Sequence, residues 1–218
     1  MTLTLDRPPA DLGAMTLTLV PLNHPSLRGI KRWTDHGAIH QAVMGLFATT
    51  LPGEPAARRA GAGILYRHDV AANGEGRLLV QHAVGLQAEP AGDQPLQQAN
   101  LEPLAAHLVP GLHVRFRVVL NAVRSQTLTK KRLAVTEPED LLEWGLGRLA
   151  GAGLEQVEFS DLPATTLGTT GKSALWMAQY DGHAVLGDAA LTEQALRSGV
   201  GRSKAYGCGL LSLAPLGR

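Results

Sequence analysis

The 218-residue chain is 44% hydrophobic, enough to bury one sizeable core or two small ones, and its net charge is only +1. A near-neutral total excludes a general affinity for polyanions, so any nucleic-acid surface has to come from local clusters of cations. Cys208 stands alone, which excludes an internal disulfide, and neither a membrane-length apolar run nor a signal-peptide pattern is present, so the expectation is a soluble protein of the reducing cytoplasm with no membrane partner.

Met1–Leu5 and Met15–Leu19 both read MTLTL, separated by a polar, proline-containing spacer, so residues 1–14 are expected to form a disordered leader. Leu17, Leu19 and Pro21 then alternate with Thr16, Thr18 and Val20 as a first strand. Thr34 or Asp35 caps a helix expected to run to about Thr50, its buried stripe made by Ile39, Val43, Leu46 and Phe47. Residues 51–63 form a glycine- and proline-rich connector. Ile64–Arg67 and Leu78–Val84 read as two strands joined by the turn Ala71–Gly76. Leu96–Leu108 reads equally as a short helix or an irregular crossing.

Pro110-Gly111 marks the midpoint. Beyond it Val114, Phe116, Val118 and Leu120 alternate with His113, Arg115 and Arg117, a half-buried strand with a basic outer face. Thr136 and Glu139 predict a capping box around Pro138, opening a helix that buries Leu141, Leu142, Trp144, Leu146 and Leu149. Gln156–Phe159 reads as a strand. Leu175–Tyr180 and His183–Leu186 read as a hairpin across Asp181-Gly182. Asp188 caps a last helix that Gly199 ends, and Cys208–Ala214 is the closing strand. The second half is therefore β-α-β-β-α-β and the first a looser version of the same order. The predicted class is α+β, two tandem ferredoxin-like (RRM-like) domains over residues 15–109 and 110–218. With three each of Trp, Tyr and Phe, base stacking across open sheets is poorly supported.

Four candidates carry chemistry. Gly199, Gly201, Gly207 and Gly209 enclose Arg202, Ser203 and Lys204 in eleven residues. Exposed amides in such a loop make an anion cradle to which the two cations add full charge, and its natural guest is a phosphate. The spacing is neither G-x-G-x-x-G nor a P-loop. Arg115, Arg117, Asn121, Arg124, Lys130, Lys131 and Arg132 form a second, basic group, with no Asp or Glu between His113 and Thr136. A solvated face and a phosphate-tracking groove both fit it. Lys172, in a short glycine loop, is a third candidate for an anion. His40 beside the apolar stripe of the first helix is either structural or a proton-transfer group. His36 and His40 have the i, i+4 spacing of a zinc pair, but no third ligand accompanies them, and no metal or cofactor is expected.

The segments G-V-G-R-S-K-A-Y-G-C-G-L-L-S-L-A-P-L (Gly199–Leu216), F-R-V-V-L-N-A-V-R (Phe116–Arg124), K-R-L-A-V (Lys131–Val135) and G-A-I-H-Q-A-V-M-G-L-F (Gly37–Phe47) resemble those of the CRISPR-associated CasE endoribonucleases. The resemblance implies metal-independent cleavage of CRISPR repeat RNA on the 3′ side of its hairpin, with His40 catalytic. The attacking group would be the RNA's own 2′-OH, leaving a 2′,3′-cyclic phosphate and a 5′-OH. It further implies that the crRNA 3′ hairpin is retained within Cascade, with the other Cascade subunits as partners. Two departures stand out: Gly37 occupies a position where relatives often carry tyrosine, and Ala122 one where they often carry proline. A non-catalytic RNA-hairpin-binding subunit of the same fold is the alternative, with a small-molecule nucleotide binder a more distant one.

Overall fold

The computed structural model describes residues 11–47, 51, 57–70, 76–87, 96–126, 131–171 and 173–216. In the N-terminal half, β1 (Thr16–Pro21) leads to α1 (His36–Met44), a short α2 (Arg58–Gly61), then β2 (Leu65–Val70), β3 (Gly76–His82), β4 (Gln97–Asn100) and the single turn α3 (Glu102–Ala105). The strands form one antiparallel sheet in the order β2-β3-β1-β4. Alternation splits the sheet into two faces. Val20, Tyr66, Leu78 and Val80 pack with Ile39 and Val43 of α1 in one core, whereas Met15 and Leu17 pack in the core of the C-terminal half.

The C-terminal half opens with β5 (His113–Asn121), a small pair β6 (Val123–Ser125) and β7 (Arg132–Ala134), and α4 (Pro138–Ala150). There follow β8 (Leu154–Phe159), β9 (Thr165–Thr170), β10 (Ser173–Leu186), α5 (Ala189–Ser198) and β11 (Ser212–Pro215). The sheet order β11-β5-β10-β8 repeats that of the first half once each half's strands are numbered afresh: 4-1-3-2, the ferredoxin-like order. Both halves of the tandem fold are thus present. Val114, Phe116, Val118 and Leu120 of β5 meet Leu141 and Leu149 of α4 and Leu196 of α5 in the larger core.

Several local expectations need correction. Leu12, inside the stretch expected as a disordered leader, is fully buried in the C-terminal core, and Asp11 caps a 3₁₀ turn there. Asp181-Gly182 is not a turn: β10 runs through it, and a Cβ on Gly182 would lie 2.1 Å from the Glu158 carbonyl oxygen, so this glycine serves close strand approach. The hairpin turn falls instead between Thr170 and Ser173, where Gly171 has φ +62°. No capping box opens α4; Glu137 is its N-cap without a side-chain bond, and Pro138 supplies the preset φ and needs no partner for an amide it lacks. Leu146 of that helix is exposed. The undecided stretch 96–108 contains β4 and α3, and the closing strand is shorter than expected. Asp35 caps α1 as expected, its Oδ1 accepting from the amides of Gly37 and Ala38, and Asp188 caps α5, which ends at Gly199 with φ +77°.

A buried polar seam joins the halves. Arg67, 3% exposed, pairs with Asp69 and donates through Nη1 to the carbonyls of Arg117 and Leu210 and to Ser212 Oγ. Gln81 Nε2 donates to the Leu196 carbonyl. Buried polar groups are tolerable only when paired in this way.

Candidate active site

His40 projects from α1 toward the glycine segment of the C-terminal half. Its ring meets that of Tyr206 edge to face, with centroids 5.9 Å apart. The segment is held there by Tyr66, whose hydroxyl donates to the Ala205 carbonyl at 2.9 Å. Burial and, second, the charge of Arg59 push the His40 imidazole below its ordinary value; the Ala205 carbonyl pulls the other way, though no hydrogen bond to the buried Nδ1 is formed. Lys204 is lowered by burial and then by Arg59 too. Three nitrogenous groups from three parts of the chain, His40, Arg59 and Lys204, therefore share one electrostatic neighbourhood. No carboxylate pairs with either cation among the described residues. Such a site favours an anion at its centre.

Gly37 lies where the β9–β10 turn crosses the start of α1. A Cβ there would stand 3.9 Å from Thr170 Cα and Gly171 N, and Thr169 N donates to the Thr34 carbonyl beside it. A Cβ at this distance makes only ordinary contact with the turn, and a phenol does stand beside His40, that of Tyr206. His36 does not gather with His40 as a metal pair: it is 7% exposed and packs on Gly168, where a Cβ would meet its ring at 2.4 Å. Among the described residues no three His, Cys, Asp or Glu side chains form a potential metal cluster.

The glycine segment departs in detail from an open cradle of amides. Gly199 N donates to Ala195 O, Val200 N to Gly209 O, Gly209 N to Val119 O and Tyr206 N to Ser203 O. These amides are spent within the loop and on the end of α5, and that of Gly209 ties the loop to β5. Gly209 shows why glycine is required: φ is +89°, and a Cβ would lie 2.6 Å from the Val200 carbonyl oxygen. Gly201 and Arg202 are exposed, Gly207 is buried against Tyr66, and Ser203 is held in the left-handed region at φ +59°.

The basic group is not without neutralising partners, because the acids come from neighbouring elements. Arg117 pairs with Asp181 across β5 and β10, which holds its guanidinium above its ordinary value. Arg124 lies 3.8 Å from Asp140 of α4. Asn121 is a clamp: Nδ2 donates to Ser203 Oγ at 2.8 Å and Oδ1 accepts from Trp176 N. Arg115, Lys131 and Arg132 are exposed, whereas Lys130 and Lys172 lie outside the described residues. Arg59 and Tyr206 had no role in the sequence reading. Arg59 sits in the connector read only for its glycines and prolines, and nothing in the sequence ties it to residue 40. Tyr206 was visible within the glycine segment but carried no chemical signal of its own.

The CRISPR associated protein family model matches residues 15–215. The CRISPR-associated endoribonuclease Cse3 of Thermus thermophilus is 30% identical over 129 residues, a stretch that covers 52% of this chain and 61% of that relative's length. Among solved structures, CRISPR endoribonuclease Cse3 bound to 19 nt RNA matches with a TM-score of 0.71 and 25% identity, over 93% of this chain and all of that one. A chain of a CRISPR RNA-guided surveillance complex in a pre-nicking state matches at 0.67 and 28% identity, over 93% of this chain and 100% of that one. The matched span, the shared fold and the quoted motifs agree: the chain belongs to the CRISPR associated protein family, as a CasE-family member.

Proposed function

We propose that this protein is an endoribonuclease that cuts CRISPR repeat RNA beside its hairpin, using the RNA's own 2′-OH as nucleophile. The observation that carries the reading is the neighbourhood of His40: an imidazole kept neutral by burial and by Arg59, facing a loop that brings Lys204 and Tyr206. A neutral imidazole at physiological pH accepts a proton, so His40 is assigned as the base for the 2′-OH. Attack in line forms the bond from the 2′ oxygen to phosphorus as the 2′ proton passes to His40, and breaks that to the 5′ oxygen, which takes a proton from solvent, leaving a 2′,3′-cyclic phosphate and a 5′-OH. Charge grows on the phosphorane oxygens as the two oxygens exchange. Arg59 and Lys204, already desolvated, stabilise that charge more strongly than solvated cations would. Lys172 is a further candidate for the same role.

Binding is assigned to the hairpin's shape and phosphates. Arg115, Lys130, Lys131, Arg132 and Arg202 are the proposed phosphate contacts, and Arg117 and Arg124 contribute once their acidic neighbours are outcompeted. Asn121, Ser203 and the four glycines act by holding the loop in place. The product hairpin is proposed to remain bound, with the protein acting in the cytoplasm as a subunit of Cascade. Support for this last step is the likeness to a chain of the surveillance complex.

The test is a repeat RNA with one 2′-deoxy nucleotide on the 5′ side of the scissile phosphate, compared with the all-ribose repeat in EDTA. The all-ribose RNA should be cut and the substituted one should bind equally well and stay intact. Cleavage of the substituted RNA at an ordinary rate would mean that water or another group attacks, and the mechanism would fall.

A further inference from the structure

One turn of α1 from His40, a cavity of about 230 Å³ lies between the halves, and the mechanism above makes no use of it. Its walls include Trp33, His36, Tyr66 and His68 from the N-terminal half and Met177 and Gln179 from β10. Trp33 and His68 are stacked, with ring centroids 4.8 Å apart and planes inclined by 27°. Both rings are half-buried and both line the cavity. His36 also lines the cavity; its buried Nδ1 lies 3.7 Å from where a Cβ on Gly207 would stand and faces the Tyr206 backbone without a well-formed hydrogen bond to it.

The size and lining select the occupant. Pockets that enclose drug-sized ligands run to roughly 300–1,000 Å³, so this one suits a single flat ring system and not a whole nucleotide. Its polar groups are the His36 imidazole and the Gln179 side-chain oxygen, the Gln179 Nε2 being committed to Asp181 Oδ2; groups of this kind read the edge of a base. Among the described residues that line the cavity there is no acid, and Arg67 in the wall is committed to Asp69 and to backbone carbonyls. Four residues of helix separate His36 from His40, about 6 Å along the axis. A nucleotide whose phosphate sits between His40, Arg59 and Lys204 therefore has its neighbour's base within reach of the cavity.

We infer that this cavity receives the unpaired base of a nucleotide flanking the scissile phosphate, stacked on the Trp33–His68 pair. Docking the base there would fix the sugar next to the reacting phosphate and so restrict which phosphodiester is presented to His40. The inference rests on the endoribonuclease reading for the identity of the phosphate, but the pocket itself is testable by binding alone.

The experiment places 2-aminopurine in the repeat RNA at the nucleotide on either side of the scissile phosphate, one position per RNA, with the 2′-deoxy block preventing cleavage. Stacking quenches 2-aminopurine, so emission should fall on binding at one of the two positions, which also identifies the side. Trp33→Ala should abolish that quenching and weaken binding roughly five- to a hundredfold, the range for loss of one base–aromatic stack. Trp33→Phe should retain most of both. An abasic nucleotide at the quenched position removes the same contact without altering the protein. It should weaken wild-type binding by the same factor and add nothing to Trp33→Ala. Unchanged emission at both positions with intact hairpin binding overturns the inference while leaving cleavage untouched. Quenching by Trp33 in a protein that cuts no repeat would instead retain the pocket and sink the catalytic reading.

Discussion

In the C-terminal half, helices of thirteen and ten residues help close the larger core, to which Leu12, Met15 and Leu101 of the other half contribute. In the N-terminal half the same strand order is served by a nine-residue α1 and by single-turn helices. The second face of its sheet is covered by the partner half, through Met15, Leu17, Gln81 and Arg67. One topology thus yields a half with long covering helices and a half with short ones, whose sheet relies on its partner for its second face. The candidate chemistry sits where the relying half meets the other's glycine loop. His40 is supplied by the half with the shorter helices and meets the Tyr206 ring of the other, on a loop that Tyr66 holds through the Ala205 carbonyl. Dependence of this kind couples catalysis to the seam between the halves, and the coupling can be broken at defined points.

The largest expected effect is catalytic. His40→Ala should slow repeat cleavage by about 10²–10⁴ while hairpin affinity stays near wild type, since the ring contributes no charge to phosphate binding when neutral. Single-turnover cleavage on a gel, with binding measured in parallel, separates the two. Loss of both together would mean that His40 builds the binding surface and does not transfer a proton.

Next comes the seam itself. Arg67→Met leaves Asp69 buried and unpaired and three acceptors on the C-terminal half without their donor. Removing one partner of a buried ion pair costs about 3–5 kcal/mol. Urea unfolding should show that loss, and hydrogen exchange should place it first in β1–β3. Replacing Asp69 by Leu in the same variant should recover much of it, because the uncompensated charge is then gone. Uniform loss across both halves would deny that it is the N-terminal sheet that relies on its partner.

A smaller effect is expected at the loop. Gly209→Ala forces a side chain to φ +89° and against the Val200 carbonyl. The backbone conformation alone costs about 1–2 kcal/mol. Cleavage should fall with little change in overall melting, since the loop's register on β5 is what positions Lys204 and Tyr206.

These contrasts show what the sequence could and could not disclose. Helix ends were legible where a side chain does the capping, as at Asp35 and Asp188, because that signal is local. The strand order was legible from the succession of elements, since short connections leave few ways to pair them. Asp181-Gly182 misled because the same dipeptide serves a turn or a close strand approach, and only the Glu158 carbonyl across the sheet decides between them. The basic strand misled likewise: a window from His113 to Thr136 contains no acid, but Asp140 and Asp181 arrive from outside it. The motif around His40 singles it out as a candidate in the sequence, whereas Arg59, nineteen residues away on the connector, comes into its electrostatic neighbourhood only once the chain is folded.

The smallest effect expected distinguishes the halves by pH. Burial lowers His36, His40, His68 and His82, all in the N-terminal half. His82 is locked in one neutral tautomer, with Nδ1 donating to the Val84 carbonyl and Nε2 accepting from the Thr18 hydroxyl, each at 2.7 Å. For a group whose folded value is depressed, the unfolded chain binds the proton first. Stability is therefore whole above the unfolded value of about 6.5 and declines as pH falls from there toward the folded values. Melting temperature should be level between pH 8 and 7 and then drop toward pH 5, and hydrogen exchange at pH 5.5 should rise in β1–β3 before β5 and β10. Cleavage should share this acid limb, because protonated His40 cannot accept the 2′-OH proton. Arg59→Gln separates the two effects. It removes a charge that helps keep His40 neutral, so the acid limb of the rate profile should move to higher pH while that of the melting profile, set by four histidines, scarcely moves. A rate profile unmoved by Arg59→Gln would show that Arg59 does not act on His40, and the reacting phosphate would then have to be placed elsewhere on the loop.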